Sequence, residues 1–245
     1  MSVRVFTNEV LEEMRGIVRE PSALFFSVLM PVAFFLLFSS IFGDEPRAGV
    51  SAGTYMLATY GVFGVLSVTL MTPGIGVAGD CDRGWLAVKR ATAVPLPIVL
   101  AAKVTAALPY ALGVLVAMTV AAAGFGTLDA SAGQLLRLGG VLVLGGLPFA
   151  LLSLAVGFRA SGNASAAILN AILLPSAVAS GLWMPLEILP AAIGEVATFL
   201  PTYHLAQLSL AQVGEGTGLG HAVVLAGAAV GMAVLAAVSY RHART

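Results

Sequence analysis

The sequence predicts an all-α, polytopic membrane fold with six transmembrane helices, and three observations carry the prediction. Of 245 residues, 59% are hydrophobic and 10% charged, against about 25% charged in an ordinary soluble domain. The apolar residues gather in six continuous runs near 22–42, 54–78, 97–124, 137–157, 164–184 and 221–240. Each run approaches the ~20 residues a helix needs to cross a bilayer. The runs are rich in Ala, Leu and Val, without the in–out alternation of barrel strands. A mean hydropathy of +0.98 agrees, and 28 glycines suit helices that pack closely through small residues.

Six spans put both termini on one side of the membrane. With the termini inside, Arg4, Arg15, Arg19, Arg83, Lys89, Arg90, Lys103, Arg159, Arg241 and Arg244 are cytosolic, and Arg47 and Arg137 lie outside. Basic residues concentrate on the cytoplasmic side of membrane proteins, so the chain reads N-in, C-in. Arg137 falls at a span edge, where its side chain can snorkel. Glu9, Glu12, Glu13 and Glu20 precede any apolar run, unlike the basic start of a cleavable signal peptide. A net charge of zero gives no footprint for nucleic acid. One cysteine, Cys81, excludes an internal disulfide, and no Cys/His cluster suggests a metal.

Residues 3–20 are too polar to span. Phe6, Val10, Met14 and Ile17 recur at helical spacing with Val3, and Leu11 and Val18 widen the stripe. Arg4, Asn8, Glu9, Glu12, Arg15 and Arg19 cover the other face. This pattern predicts an amphipathic helix on the inner membrane surface, ended by Pro21. It serves either as an anchor or as a surface that also touches a cytosolic partner. Span one carries Phe25, Phe26, Phe34, Phe35, Phe38 and Phe42, which suit lipid, a second subunit or an apolar substrate. Thr54, Tyr55, Thr59, Tyr60, Ser67 and Thr69 dot span two, and Asn163, Ser165, Asn170, Ser176 and Ser180 dot span five. These polar groups either hydrogen-bond between helices or line a path.

Between spans two and three lies a charged island, residues 80–96. Asp80 and Asp82 come first, where acids suit a helix N-terminus, and Lys89 and Arg90 come late, where bases suit its C-terminus. Pro95 and Pro97 stop it. The island reads as a short helix parallel to the membrane or as a topology-setting loop. Further on, Pro185, Pro190 and Pro201 break any continuous helix, while Ile188, Leu189, Ile193, Val196 and Leu200 keep an apolar stripe. Residues 186–210 therefore read as short helices that dip into the outer leaflet and return, tolerable where protein covers the backbone or water reaches it. No soluble domain, repeat or low-complexity linker is evident, so 1–245 is one transmembrane domain.

Two stretches resemble a known family. Asp80-Cys81-Asp82-Arg83-Gly84-Trp85-Leu86, then Ala91-Thr92-Ala93-Val94-Pro95, resembles the acidic-x-acidic-x-Gly-Thr-Leu stretch, coupling helix and Pro turn of ABC-2 type transporter permeases. Aspartates stand where glutamates are usual, and Trp85 where Thr is usual. Arg159-Ala160-Ser161-Gly162-Asn163, Asn170, Pro175, Ser180-Gly181, Met184-Pro185, Leu189-Pro190 and Pro201-Thr202-Tyr203 follow the order found in the drug- and lipid-exporting branch, the daunorubicin-resistance type. The likeness covers nearly the whole chain.

The resemblance implies a permease of the bacterial plasma membrane, working with two ATP-binding subunits and a second permease copy or paralogue. ATP and Mg would be held by those partners, and no cofactor by this chain. Asp80, Asp82, Arg83, Gly84, Trp85, Leu86, Lys89 and Arg90 would form the coupling helix that docks into the partner. Spans one and five of two copies would enclose the path, which makes Phe34, Phe38, Thr59, Asn170 and Ser180 its candidate residues.

The missing motifs agree with that division of labour. The sequence has no G-x-x-x-x-G-K-[ST] phosphate loop. No ionisable residue lies centrally in a span, as an ion-coupled carrier would usually require, and Lys103 is near the inner face. No His-Glu-x-x-His or Gly-x-Ser-x-Gly appears. Glu187, Glu195 and His204 at the outer mouth read as solvated residues at helix ends rather than a catalytic cluster. The expected cargo is an amphipathic drug-like compound or lipid. A polysaccharide exporter is the rival within the class, although 2 Trp and 5 Tyr give few rings for a sugar path. A motor-free channel or passive carrier is the rival outside it.

Overall fold

The computed structural model describes residues 3–19, 25–42, 49–85, 88, 96–214 and 218–243. They are overwhelmingly helical. α1 is Val3–Val18, and a π-helical turn Phe25–Leu29 runs into α2, Met30–Phe42. α3 is Ala52–Asp82, α4 Leu96–Gly124, α5 Ala132–Gly157 and α6 Gly162–Ala179. A 3-10 turn at Leu186–Ile188 and the short α7, Ala191–Ala197, lead to α8, Pro201–Val213, and α9, Leu219–Arg241. Among the described residues, five helices are long and apolar enough to cross a membrane: α3, α4 from Pro97, α5, α6 and α9. The protein is a polytopic membrane protein.

Local chemistry sets several boundaries. Ser51 and Ser161 cap α3 and α6 by accepting the N–H groups of Thr54 and Ala164. Ser131 and Gln134 form a reciprocal capping box at α5, which satisfies two donors at once. Pro31, second in α2, has no N–H to give, and the turn before it widens to π form. Pro185 and Pro190 precede the 3-10 turn and α7, and Pro201 opens α8. Each of the three prolines expected to break the chain thus marks a helix start, where a fixed φ and a missing N–H cost nothing.

α3 is the mast of the bundle. It is apolar on every side and buried over most of its length, as a helix without a polar face must be. α4, α5, α6, α2 and α8 all pack on it. Tyr60, Phe35, Phe63, Leu57, Leu66, Leu70, Met118, Leu138, Leu142 and Leu169 fill the core around it. α9 lies against α5 and α8, and α1 lies across α4. α8 is inclined into the bundle: its Leu205 side chain reaches Gly145 midway along α5, while the Val213 carbonyl accepts from Gln134 in the first turn of α5.

α3 and α5 cross almost backbone to backbone. A Cβ on Gly74 would sit 2.4 Å from the Ser153 oxygens, and one on Gly157 would sit 2.2 Å from the Gly74 carbonyl oxygen. Only hydrogen fits either position. The Gly74 N–H donates to Ser153 Oγ at 2.7 Å, one residue after Pro73, the residue that interrupts the α3 ladder.

Several expectations are corrected. Asp80 and Asp82 do not begin a new helix: α3 runs through both and ends at Arg83. The physical reason is that Gly74, Gly76 and Gly79 stay helical when flanked by packed neighbours, and the first residue forced into left-handed backbone is Gly84, at φ 68°. The fifth apolar run ends at Ala179 rather than 184 because Gly181, at φ 71°, turns the chain there. On α1, Glu9 is half-buried on the same side as Phe6, Val10, Met14 and Ile17, while Leu11 and Val18 are exposed. That side faces α4, so packing rather than hydrophobicity alone selects it.

Candidate functional site

The charged end of the bundle is where α1, α3, α4 and α6 meet. α3 has 31 residues and is about 46 Å long, against about 30 Å of hydrocarbon. A helix that long outruns the hydrocarbon, and its two charged residues, Asp80 and Asp82, both lie in its last turn, as suits an end at headgroup level. A helix C-terminus carries partial negative charge, so Asp80 and Asp82 need compensation there, and the neighbouring helices supply it.

Lys103, two turns into α4, reaches across to α3. Its Nζ lies 2.8 Å from Asp80 Oδ2 and 2.9 Å from Glu13 Oε2 on α1. Asp80 and Lys103 are each 5% exposed. The Arg83 guanidinium sits 3.2 Å from Asp80 Oδ1 with its head in solvent. Asp82 Oδ2 accepts the Gly162 N–H at 2.8 Å, placing a carboxylate at the positive N-terminus of α6. The Tyr110 hydroxyl donates to the Met14 carbonyl at 2.9 Å, a second tie between α4 and α1. Three acids, Asp80, Asp82 and Glu13, thus knit four helices into one end plate.

The predicted docking residues divide across this plate. Asp80 is inside it. Asp82 and Arg83 are at its surface, Gly84 makes the turn, and Trp85 projects with 49% of its surface exposed. Val88 is also exposed. Leu86, Lys89 and Arg90 lie outside the described residues.

The candidate path residues do not share one surface. Thr59 and Ser180 are buried; Thr59 donates to the Met56 carbonyl and Ser180 pairs with Thr202. Phe34 and Phe38 are half-buried in an aromatic cluster. Phe34 meets Trp183 edge-on at 5.7 Å, and Phe38 lies 5.9 Å from Tyr60. The Tyr60 hydroxyl donates to the Trp183 carbonyl at 3.0 Å. Asn170 is exposed on α6, as is Asn163 two turns before it. Several other hydroxyls on the spans bond within their own helix: Ser67 to Phe63, Thr69 to Val65, Thr119 to Leu115, Ser176 to Leu173. That is a third role, neither of the two expected.

At the opposite end, Glu187 and Glu195 are exposed. His204 pairs instead with His221, Nδ1 to Nδ1 at 2.9 Å, and with the Thr198 carbonyl. Among the described residues no group of three or more His, Cys, Asp or Glu is arranged to hold a metal. An apolar groove of about 530 Å³ separates α6 from α7, lined by Pro175, Val178, Ala179, Ala192, Ile193 and Val196.

Sequence reasoning missed Glu13 and the role of Lys103. A signal existed for both. Glu13 shares a helical face with Phe6, Val10 and Ile17, and a lysine two turns inside an apolar span needs a carboxylate.

Two comparisons bear on this architecture. Over 203 residues the chain is 26% identical to "Putative transport permease YvfS" of Bacillus subtilis (strain 168), covering 82% of each protein. The family model described as ABC-2 type transporter matches residues 9–212. Its span takes in α3 to α7 whole and α8 but for its last residue, with Glu13, Asp80 and Lys103 inside it, and the chain belongs to the ABC-2 type transporter family.

Proposed function

We propose that this chain is the membrane-spanning subunit of an ATP-driven exporter, docked on a separate ATP-binding subunit through Arg83, Trp85 and the residues that follow. The observation that carries the reading is the end plate. An exposed tryptophan and an exposed arginine leave the bundle where α1, α3, α4 and α6 are tied together, so force applied there reaches four helices at once. Membership of the family implies such a partner, and the sequence has no phosphate loop of its own. Arg83, Arg159 and Arg241 share this end of the bundle and Arg137 lies at the other, which supports six spans with both termini in the cytoplasm of a bacterial cell. The sixth is the π turn with α2.

The partner would hold ATP and Mg. Closure of two ATP-binding subunits would press on the docking loops of two permease copies and shift the pair from inward-open to outward-open, a change of population among existing states. Asn163 and Asn170 are exposed on one face of α6, and although Asn170 donates to the Ala166 carbonyl of its own helix at 2.9 Å, two exposed amides favour a second copy or a polar path against that face. The carbon-lined groove beside α6 favours an amphipathic cargo, drug-like or lipid.

Co-purification tests the reading. The wild-type chain is expected to retain an ATP-binding subunit, and Arg83→Glu with Lys89→Glu to release it and stop export. Transport that persists unchanged in the double variant would refute docking at this loop.

A further inference from the structure

Four charged side chains form an unbroken line across the end plate. Arg83 meets Asp80 at 3.2 Å, Asp80 meets Lys103 at 2.8 Å, and Lys103 meets Glu13 at 2.9 Å. The line starts on the exposed loop beyond α3 and ends on α1, and its two middle members are buried. Two cations and two carboxylates cancel, so removing any single member leaves the line charged.

Stability alone does not account for it. Apolar side chains of similar volume often hold a buried site as well as an ion pair does. α1 already has Phe6, Val10, Met14 and Ile17 turned toward α4, and the Tyr110 hydrogen bond beside them. What the ions add is directional connection. Lys103 is drawn by both carboxylates, so a displacement of Asp80 changes its hold on Glu13. Coupling between sites travels through contiguous contacts of this kind, but a path earns the name only when breaking it uncouples the ends.

We propose that Lys103 is a positioning residue that ties α1 to the docking loop, so that α1 follows the loop when the ATP-binding subunit engages Arg83 and Trp85. The transmission rests on the docking reading above; the tie itself does not. Glu13 and Asp80 meet through the Lys103 ammonium, so along this line loop motion reaches α1 by way of α4.

Hydrogen exchange of the full chain in nanodiscs tests it in two steps. Glu13→Gln cuts the line at its accessible end and leaves the buried Asp80–Lys103 pair in place, so the fold is preserved. Asp80→Asn with Lys103→Met neutralises the middle. Both are expected to speed exchange of the α1 amides at least fivefold and leave amides 56–70 of α3 unchanged. Unaltered α1 exchange in both variants overturns the tie. With the ATP-binding subunit bound and Mg-ATP plus vanadate added, α1 and residues 80–85 are expected to respond together in the wild type. In Glu13→Gln, only 80–85 should respond. An equal α1 response in both overturns the transmission. A wild-type chain that retains no ATP-binding subunit refutes docking and the transmission with it, while the first step reports on the tie independently.

Discussion

Gly157→Ala adds one carbon at the closest approach in the bundle. That carbon would lie 2.2 Å from the Gly74 carbonyl oxygen and 2.5 Å from Val77 Cγ1, where carbon and oxygen normally touch at about 3.3 Å. α3 and α5 must part by about 1 Å. The Gly74–Ser153 hydrogen bond, 2.7 Å long, would then stretch to about 3.7 Å, past bonding range. Overpacking costs about 1–3 kcal/mol and the lost bond about 0.6 kcal/mol. Alanine's better helix propensity returns about 1 kcal/mol. The net loss is about 1–3 kcal/mol. Gly140, on the same helix, has nothing within 4 Å of its missing Cβ, so Gly140→Ala collects the propensity gain alone. Cys81, the single cysteine, is buried beside Val77, Leu154 and Phe158 and reports unfolding to a thiol-reactive dye. At roughly 2–4 °C per kcal/mol, Gly157→Ala should melt several degrees below Gly140→Ala. Equal melting, or the reverse order, would refute the close crossing.

The same thiol melt checks Lys103→Ala, which takes the buried ammonium away from Asp80 and Glu13 and should cost about 3 kcal/mol, the low end for a broken buried pair because Arg83 still meets Asp80; adding Glu13→Gln and Asp80→Asn should recover most of it, and no recovery would mean the loss was packing. Ser180→Ala and Thr202→Val each remove one partner of a buried pair. Their combined cost should be close to that of either alone, with a coupling of about 0.6–1.7 kcal/mol, and strict additivity would show that the hydroxyls do not interact. In a Trp85→Phe background Trp183 is the one remaining tryptophan. Tyr60→Phe should then red-shift its emission and open it to quenchers, whereas an unchanged spectrum would show that the Tyr60 hydroxyl does not hold the 181–185 turn.

The spans were legible because hydrocarbon demands continuous apolar runs, and the 185–201 segment because proline limits what backbone can do. The end of α3 was not. Asp80 and Asp82 look like helix starters when read with Lys89 and Pro95, and only the fold shows that Lys103 and the α6 N-terminus accept them at a helix end. Glu13 read as one of several surface acids because its partner is 90 positions away. The helix crossing was hidden for another reason. With 28 glycines, nothing in the sequence separates Gly74 and Gly157, which are packed against backbone, from Gly140, which faces open space.

The hydroxyls of α3 bear on how the protein is made. Thr59, Ser67 and Thr69 bond to carbonyls three or four residues back on the same helix. Their polar demand is met before any other helix arrives. A nascent α3 can therefore leave the insertion machinery as a lone span, stable in lipid, and wait for α4 and α5 to be synthesised. Bonds that need a later partner, such as Gly74 to Ser153 and Tyr60 to Trp183, belong to assembly rather than insertion. Ser153→Ala or Tyr60→Phe, which remove these bonds, should leave α3 in the membrane and trap a bundle that has inserted but not closed.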